Sequence, residues 1–266
     1  MPSHFGCLGI AAEDQAAFEA VARQASEAAE SHRSKRGTYL RWSCESGAEM
    51  WLQVNSRQEL VGVQPHYDGD SRMQVGVAHA VARPGDSELD GAFYCWANPG
   101  EKVVNDGDYP RVFDAPDFHL HAPHLAYPSR CHVQLVAFAE ELEVFPSLPA
   151  YSEAQGDEPR MASQSFVPAG LFASHGGQTT PPTAHALLTG EVLVSAEKRN
   201  SLTGLPFYWV RAQTYGATID VVVETAPVVG LPPPGSVIQG TFWLSGRLSG
   251  YPARRGMRLI SRLFGE

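Results

Sequence analysis

The chain has 266 residues, 43% of them hydrophobic and 18% charged, which is enough apolar material for a sizeable core and excludes wholesale disorder. No apolar run approaches the roughly 20 residues that a membrane-spanning helix requires, so no membrane partner is expected. The net charge of -9 divides unevenly: residues 181–266 hold 8 Lys+Arg against 5 Asp+Glu, whereas 1–180 hold 12 against 24.

Residues 4–10 (HFGCLGI) form a short apolar run bounded by glycine and are expected to be a buried strand. A helix over about 13–32 is predicted next, because Phe18, Val21, Ala22, Ala25 and Ala29 recur at helical spacing and Glu13 and Asp14 suit the positive end of its dipole. The basic cluster His32–Arg36 follows, with Gly37 as the exit. Alternation by two then takes over in Tyr39–Cys44, Glu49–Val54 and Met73–Val77, with Ser46-Gly47 as a hairpin turn. In the second of these strands, Glu49, Trp51 and Gln53 point away from the apolar face. The order β-α-β-β-β defines an α+β unit.

Residues 83–130 are rich in Pro, Gly, Asp and Asn and read as loops anchored by Phe93, Tyr94, Trp96 and Phe113. Residues 132–145 are a strand candidate, with a short helix the alternative at Glu140–Glu143, and 146–183 read as a linker partly packed through Phe166, Leu171 and Phe172. Four strand runs follow: GEVLVSA, PFYWVRAQT, ATIDVVV and SVIQGTFWLSGRL. The expected organisation is an α+β domain over 1–145, a partly packed linker over 146–183 and an all-β domain over 184–266. The last carries an Arg-rich tail (Arg254, Arg255, Arg258, Arg262). No internal repeat of solenoid length stands out.

Three resemblances bear on function. Residues 187–250, with Gly190-Glu-Val192, Asn200-Ser-Leu-Thr203-Gly204, Ile219–Val223 and Trp243-Leu-x-Gly246, resemble an OB-fold, a small closed barrel in which glycines ease the bends. The first 80 residues resemble one βαβββ module of the vicinal-oxygen-chelate superfamily. That resemblance implies a divalent metal held by His4 and Glu49, and a glyoxalase- or dioxygenase-like enzyme acting on a small oxygen-rich substrate; His66, in QPHY, is a further candidate ligand that matches no position of the family. The SHF start, the MWLQVN strand, the SELDGAFYCWANP segment and the FWLSGR end together resemble bacterial proteins of this length that have no assigned function.

The leading expectation is a cytoplasmic binding protein. The N-terminus lacks a basic stretch ahead of an apolar one and so reads as no signal peptide. Cys7, Cys44, Cys95 and Cys131 form no CxxC pair and read as reduced, packed thiols. Alternation puts Phe207, Trp209, Arg211 and Gln213 on one face of a strand. Aromatics beside arginine suit base stacking and phosphate pairing, so Phe207, Trp209, Arg211, Trp243 and Arg247 are the candidate contacts for single-stranded nucleic acid or a protein partner. The group His119, His121, His124 and His132 reads as surface histidines, and Asp106, Asp108, Asp114 and Asp117 as loop-solvating carboxylates. No GxSxG, GxGxxG or GxxxxGK[ST] occurs, so those catalytic and phosphate-cradling signatures are missing.

Overall fold

Alternation dominates the sequence, and strands accordingly dominate the fold. A computed structural model describes residues 4–12, 14–156, 161–171, 174–175, 178–179, 181–226, 228 and 230–250. The expected first strand is instead a 3-10 turn, Gly6–Leu8, closed by Gly9 in the left-handed region at φ 69°. This run has no polar face to alternate with, so it packs as a plug. Asn200 Nδ2 donates to the Leu8 carbonyl at 3.0 Å and Thr203 Oγ1 to that of Gly9 at 2.5 Å, which satisfies the backbone without a ladder. Helix α1 (Gln15–Glu27) is capped by Asp14, whose side chain accepts from Ala17 N at 2.8 Å. It ends short of the expected residue 32, because Glu30–Arg33 forms strand β1 and is drawn into a ladder by the Ser34–Gly37 turn.

Four antiparallel strands make the first sheet in the order β1-β2-β3-β4, with β2 at Gly37–Ser43, β3 at Ala48–Asn55 and β4 at Leu60–Tyr67. One face, with Leu40, Leu52 and Val63, lies under α1. The other carries Arg41, Glu49, Trp51 and His66, which the register sets side by side.

The second sheet has nine strands. The first half of the chain supplies β5 (Met73–Val81), β6 (Ala92–Ala97), β7 (Pro110–Asp114) and the 17-residue β8 (Ser129–Phe145). Strand β9 (Ser165–Ala169) adds an edge, while β10 (Ser174–His175) and β11 (Gln178–Thr179) pair only with each other. The second half supplies β12 (His185–Arg199), β13 (Pro206–Thr214), β14 (Ala217–Glu224) and the 13-residue β15 (Val237–Ser249), close to the four expected runs. Two short helices, α2 (Phe118–His121) and α3 (Leu148–Ala154), flank β8.

The pairings close on themselves twice. In the first circuit β5, β6 and β7 run antiparallel, β7 meets β15 in parallel through Asp114 and Ser245, and β8 returns to β5. In the second, β12, β13 and β14 run antiparallel, β14 meets β8 in parallel at Asp220–Val136, and β15 returns to β12. The long β8 and β15 pair with each other and serve both circuits. They cross closely, since a Cβ on Gly240 would sit 1.9 Å from the Glu141 carbonyl oxygen.

Several expectations meet the structure here. Buried side chains on both sides of the expected boundary near residue 180, from Cys7 to Leu248, belong to one apolar cluster. The physical reason is the exchange of long strands: β8, from the first half, completes the circuit of the second. Nor do the first 80 residues form a βαβββ sheet, because the run at residue 4 is not a strand and β5 joins the second sheet. The linker is more structured than expected, with β9 pairing along β12 and Phe166 stacked on Tyr109 at 4.8 Å. The Arg-rich tail beyond residue 250 and Phe172 lie outside the described residues.

Candidate functional site

The three residues expected to bind a metal do not share one ligand set, and among the described residues no group of three or more His, Cys, Asp or Glu is placed to hold an ion. His4 lies flat on Trp243, ring centroids 4.5 Å apart, with Nε2 3.3 Å from Glu140 Oε1. The same carboxylate oxygen lies 3.2 Å from His185 Nε2. Burial pulls the His4 pKa down, opposed by the Glu140 carboxylate.

Glu49 and His66 are direct cross-strand partners, and each is committed to its own contacts. Glu49 is fully buried and accepts from Arg41 Nε at 2.7 Å, from Arg41 Nη2 and from the Trp51 indole N–H at 2.7 Å. Arg247 on β15 approaches the same carboxylate at 3.6 Å and donates from Nε to Asp117 Oδ2 at 3.1 Å. His121 completes the chain at 2.9 Å from Asp117. Arg41 and Arg247 lie 5.8 and 4.9 Å from the Trp51 ring centroid. Burial alone would raise the Asp117 pKa, but His121 and Arg247 outweigh it and bring it to about 2. These groups pin the first sheet to β15 and to the segment before α2.

His66 is buried, with Nε2 2.7 Å from Gln134 Oε1 and Nδ1 2.9 Å from Ser245 Oγ. Since the amide oxygen can only accept, Nε2 carries the proton and Nδ1 accepts from the serine, so both nitrogens are used by a neutral ring. Burial, reinforced by Arg247, lowers its pKa to about 3.

The aromatic and basic residues expected to meet a partner divide by burial. Phe207 is fully buried and packs edge-on against Tyr67 at 6.2 Å. Trp243 is buried, with its indole N–H donated to Asp114 at 2.6 Å. Arg247 belongs to the Glu49 network. Trp209 and Arg211 remain half-buried on the outer face of β13, Trp209 donating to Asp220 Oδ1 at 2.9 Å and stacking on Tyr67 at 6.3 Å. Arg211 pairs with the exposed Asp70 at 2.9 Å. Lys198 and Arg211 lie 5.1 and 5.3 Å from the Trp209 ring centroid, and Val194, cross-strand partner of Arg211, is exposed. Gly69 lets the 67–71 segment seat here, since a Cβ there would meet Asp220 Oδ2 at 2.1 Å.

Sequence reasoning missed Arg41, Lys198, Glu140 and Gln134. Arg41 was legible, since it alternates with Leu40 and Trp42 and must share the face of Glu49. The others depend on long-range pairing. Asp117 is a buried anchor rather than a loop-solvating carboxylate. His119 and His121 lie on α2. The four cysteines are free thiols, and burial pushes Cys7 and Cys95 up to about 12 and Cys131 to about 11. No family model matches the chain, and neither a curated protein nor a solved structure matches it.

Proposed function

We propose that the chain is a binding protein and that the outer face of β12 and β13 receives an acidic, extended segment of a partner protein. The observation that carries this reading is Trp209 on an accessible face between Lys198 and Arg211, with exposed Val194 beside them. Tryptophan and arginine are among the residues most enriched at recognition hot spots, and cations over a tryptophan ring are attracted to its face. We also read the second circuit as an OB-like barrel, with β12 to β15 as strands one to four and β8 in the fifth position. OB-folds use the face of strands two and three for oligonucleotides, here β13 and β14.

A protein segment is favoured over single-stranded nucleic acid by what already lies on that face. Tyr67 stacks on Trp209 where a base would, and Arg211 already meets a carboxylate, that of Asp70, the group an acidic segment would offer in its place. Phe207 and Trp243 have no accessible ring to add. Fluorescence anisotropy with a glutamate-rich peptide and with oligo-thymidine tests the reading. The peptide should bind at low salt, about tenfold more weakly to Trp209→Ala and to Arg211→Ala, the size of one lost charge-assisted contact. Peptide affinity unchanged in both variants removes this face as the site. Oligo-thymidine binding that depends on Trp209 would replace the protein partner with nucleic acid.

A further inference from the structure

A second basic feature lies on the first sheet, away from β12 and β13. The turn between β1 and β2 reads Arg33-Ser34-Lys35-Arg36-Gly37, three cations in four positions of a chain whose net charge is -9. Ser34 locks the turn: its N–H and Oγ both donate to the Gly37 carbonyl at 2.8 and 3.0 Å, and its Oγ accepts from Arg36 N and Gly37 N at 3.2 Å each. The three cationic side chains are exposed. The nearby Glu30 pairs instead with His32 at 3.8 Å, and Glu59 with Arg57 at 3.4 Å.

The turn stands between two cavities. One, of about 520 Å³, is bounded by the three cationic residues, by Ser31, Thr38 and Ser56, and by Leu40 and Val54. The other, of about 390 Å³, shares Arg33 and Lys35 and adds His119 and His124. Arg36 reaches that side electrostatically, since it and burial together hold the His119 pKa below its usual value.

We infer that the larger cavity binds a small organic phosphate, with its phosphoryl group among Arg33, Lys35 and Arg36 and its apolar body against Leu40 and Val54. Guanidinium forks and an ammonium suit a dianionic phosphoryl group, and the hydroxyls supply neutral donors to its remaining oxygens. A volume of this size exceeds what an inorganic ion fills and falls in the range of small-molecule sites. The Ser34 hydrogen bonds fix the backbone from which the three cations project, which reduces part of the ordering cost.

Isothermal titration calorimetry of the full chain with phenyl phosphate and inorganic phosphate tests the inference, with circular dichroism to check that each variant folds. Phenyl phosphate should bind more tightly than inorganic phosphate, and added salt should weaken both. Lys35→Gln and Arg36→Gln should each weaken phenyl phosphate about tenfold, whereas Lys102→Gln, an exposed cation outside the cavity, should change nothing. Equal affinities for the two probes would remove the apolar subsite, and no binding, or unchanged affinity in the Lys35→Gln/Arg36→Gln double variant, would overturn the site. Oligo-thymidine binding lost in that double variant, without phenyl phosphate binding, would assign the turn to a polymer and also overturn it. Trp209→Ala leaves phosphate binding intact, so this inference and the proposed protein-binding face fail separately.

Discussion

Glu49→Gln is the sharpest perturbation of the network that joins the first sheet to the second. The substitution keeps the shape of the side chain and one acceptor oxygen, so the Trp51 indole or Arg41 can still find a partner. It removes the negative charge that Arg41 and Arg247 share around a fully buried carboxylate. Removing one partner of a buried ion pair typically costs about 3–5 kcal/mol. The cost is lower here because the side chains of Arg41 and Arg247 are 20% and 27% exposed and can rehydrate, and Arg247 keeps Asp117. We therefore expect a loss of about 2–3 kcal/mol, read by urea denaturation with an unchanged slope. Pairing the substitution with Arg247→Met should cost less than the two single losses added, because both remove the same contact. A loss below about 0.5 kcal/mol, within the range of ordinary surface substitutions, would refute the view that Glu49 pins the two sheets.

Acid should destabilise the fold through His66. Its pKa is about 3 in the folded chain against 6.5 for a free histidine, so the unfolded chain takes up the proton first. Its contribution is fully present above about pH 6.5 and declines as the pH falls toward 3, by about 1.4 kcal/mol per unit from this group alone. Denaturation midpoints across that range should fall less steeply in His66→Gln, and equal slopes would sink the assignment. Asp117 acts in a lower window: its contribution holds above 3.8 and is lost as the pH falls through about 2. Cutting the chain near residue 180 tests the shared strands. Residues 1–180 and 181–266 expressed apart should each lack cooperative unfolding and recover it when mixed, because β8 and β15 complete each other's circuits. Independent cooperative folding of either piece would restore the two-core arrangement.

Much of the secondary structure was legible locally. Alternation placed β2, β3 and β13 to β15 nearly to the residue, and the helical spacing after Asp14 placed the start of α1 but not its end. The face shared by Glu49 and Trp51 was also legible, but not that Arg41 and Arg247 would meet the carboxylate there. The 4–10 segment misled because an apolar run reads alike whether it pairs in a ladder or plugs a core.

Sequence alone determined many of the extended runs, though not β1, β4, β6 or β7, along with the polar face of those runs and where the positive charge gathers, because these follow from neighbours two to four positions apart. Tertiary structure alone decided that β8 would close a circuit with strands some 80 residues later, that Tyr67 and Asp70 would cover part of the β13 face, and that Phe207 and Trp243 would be buried. Strand pairing carries no signature in either strand alone. Partners are selected by the joint burial of apolar faces and the satisfaction of backbone groups across the whole fold.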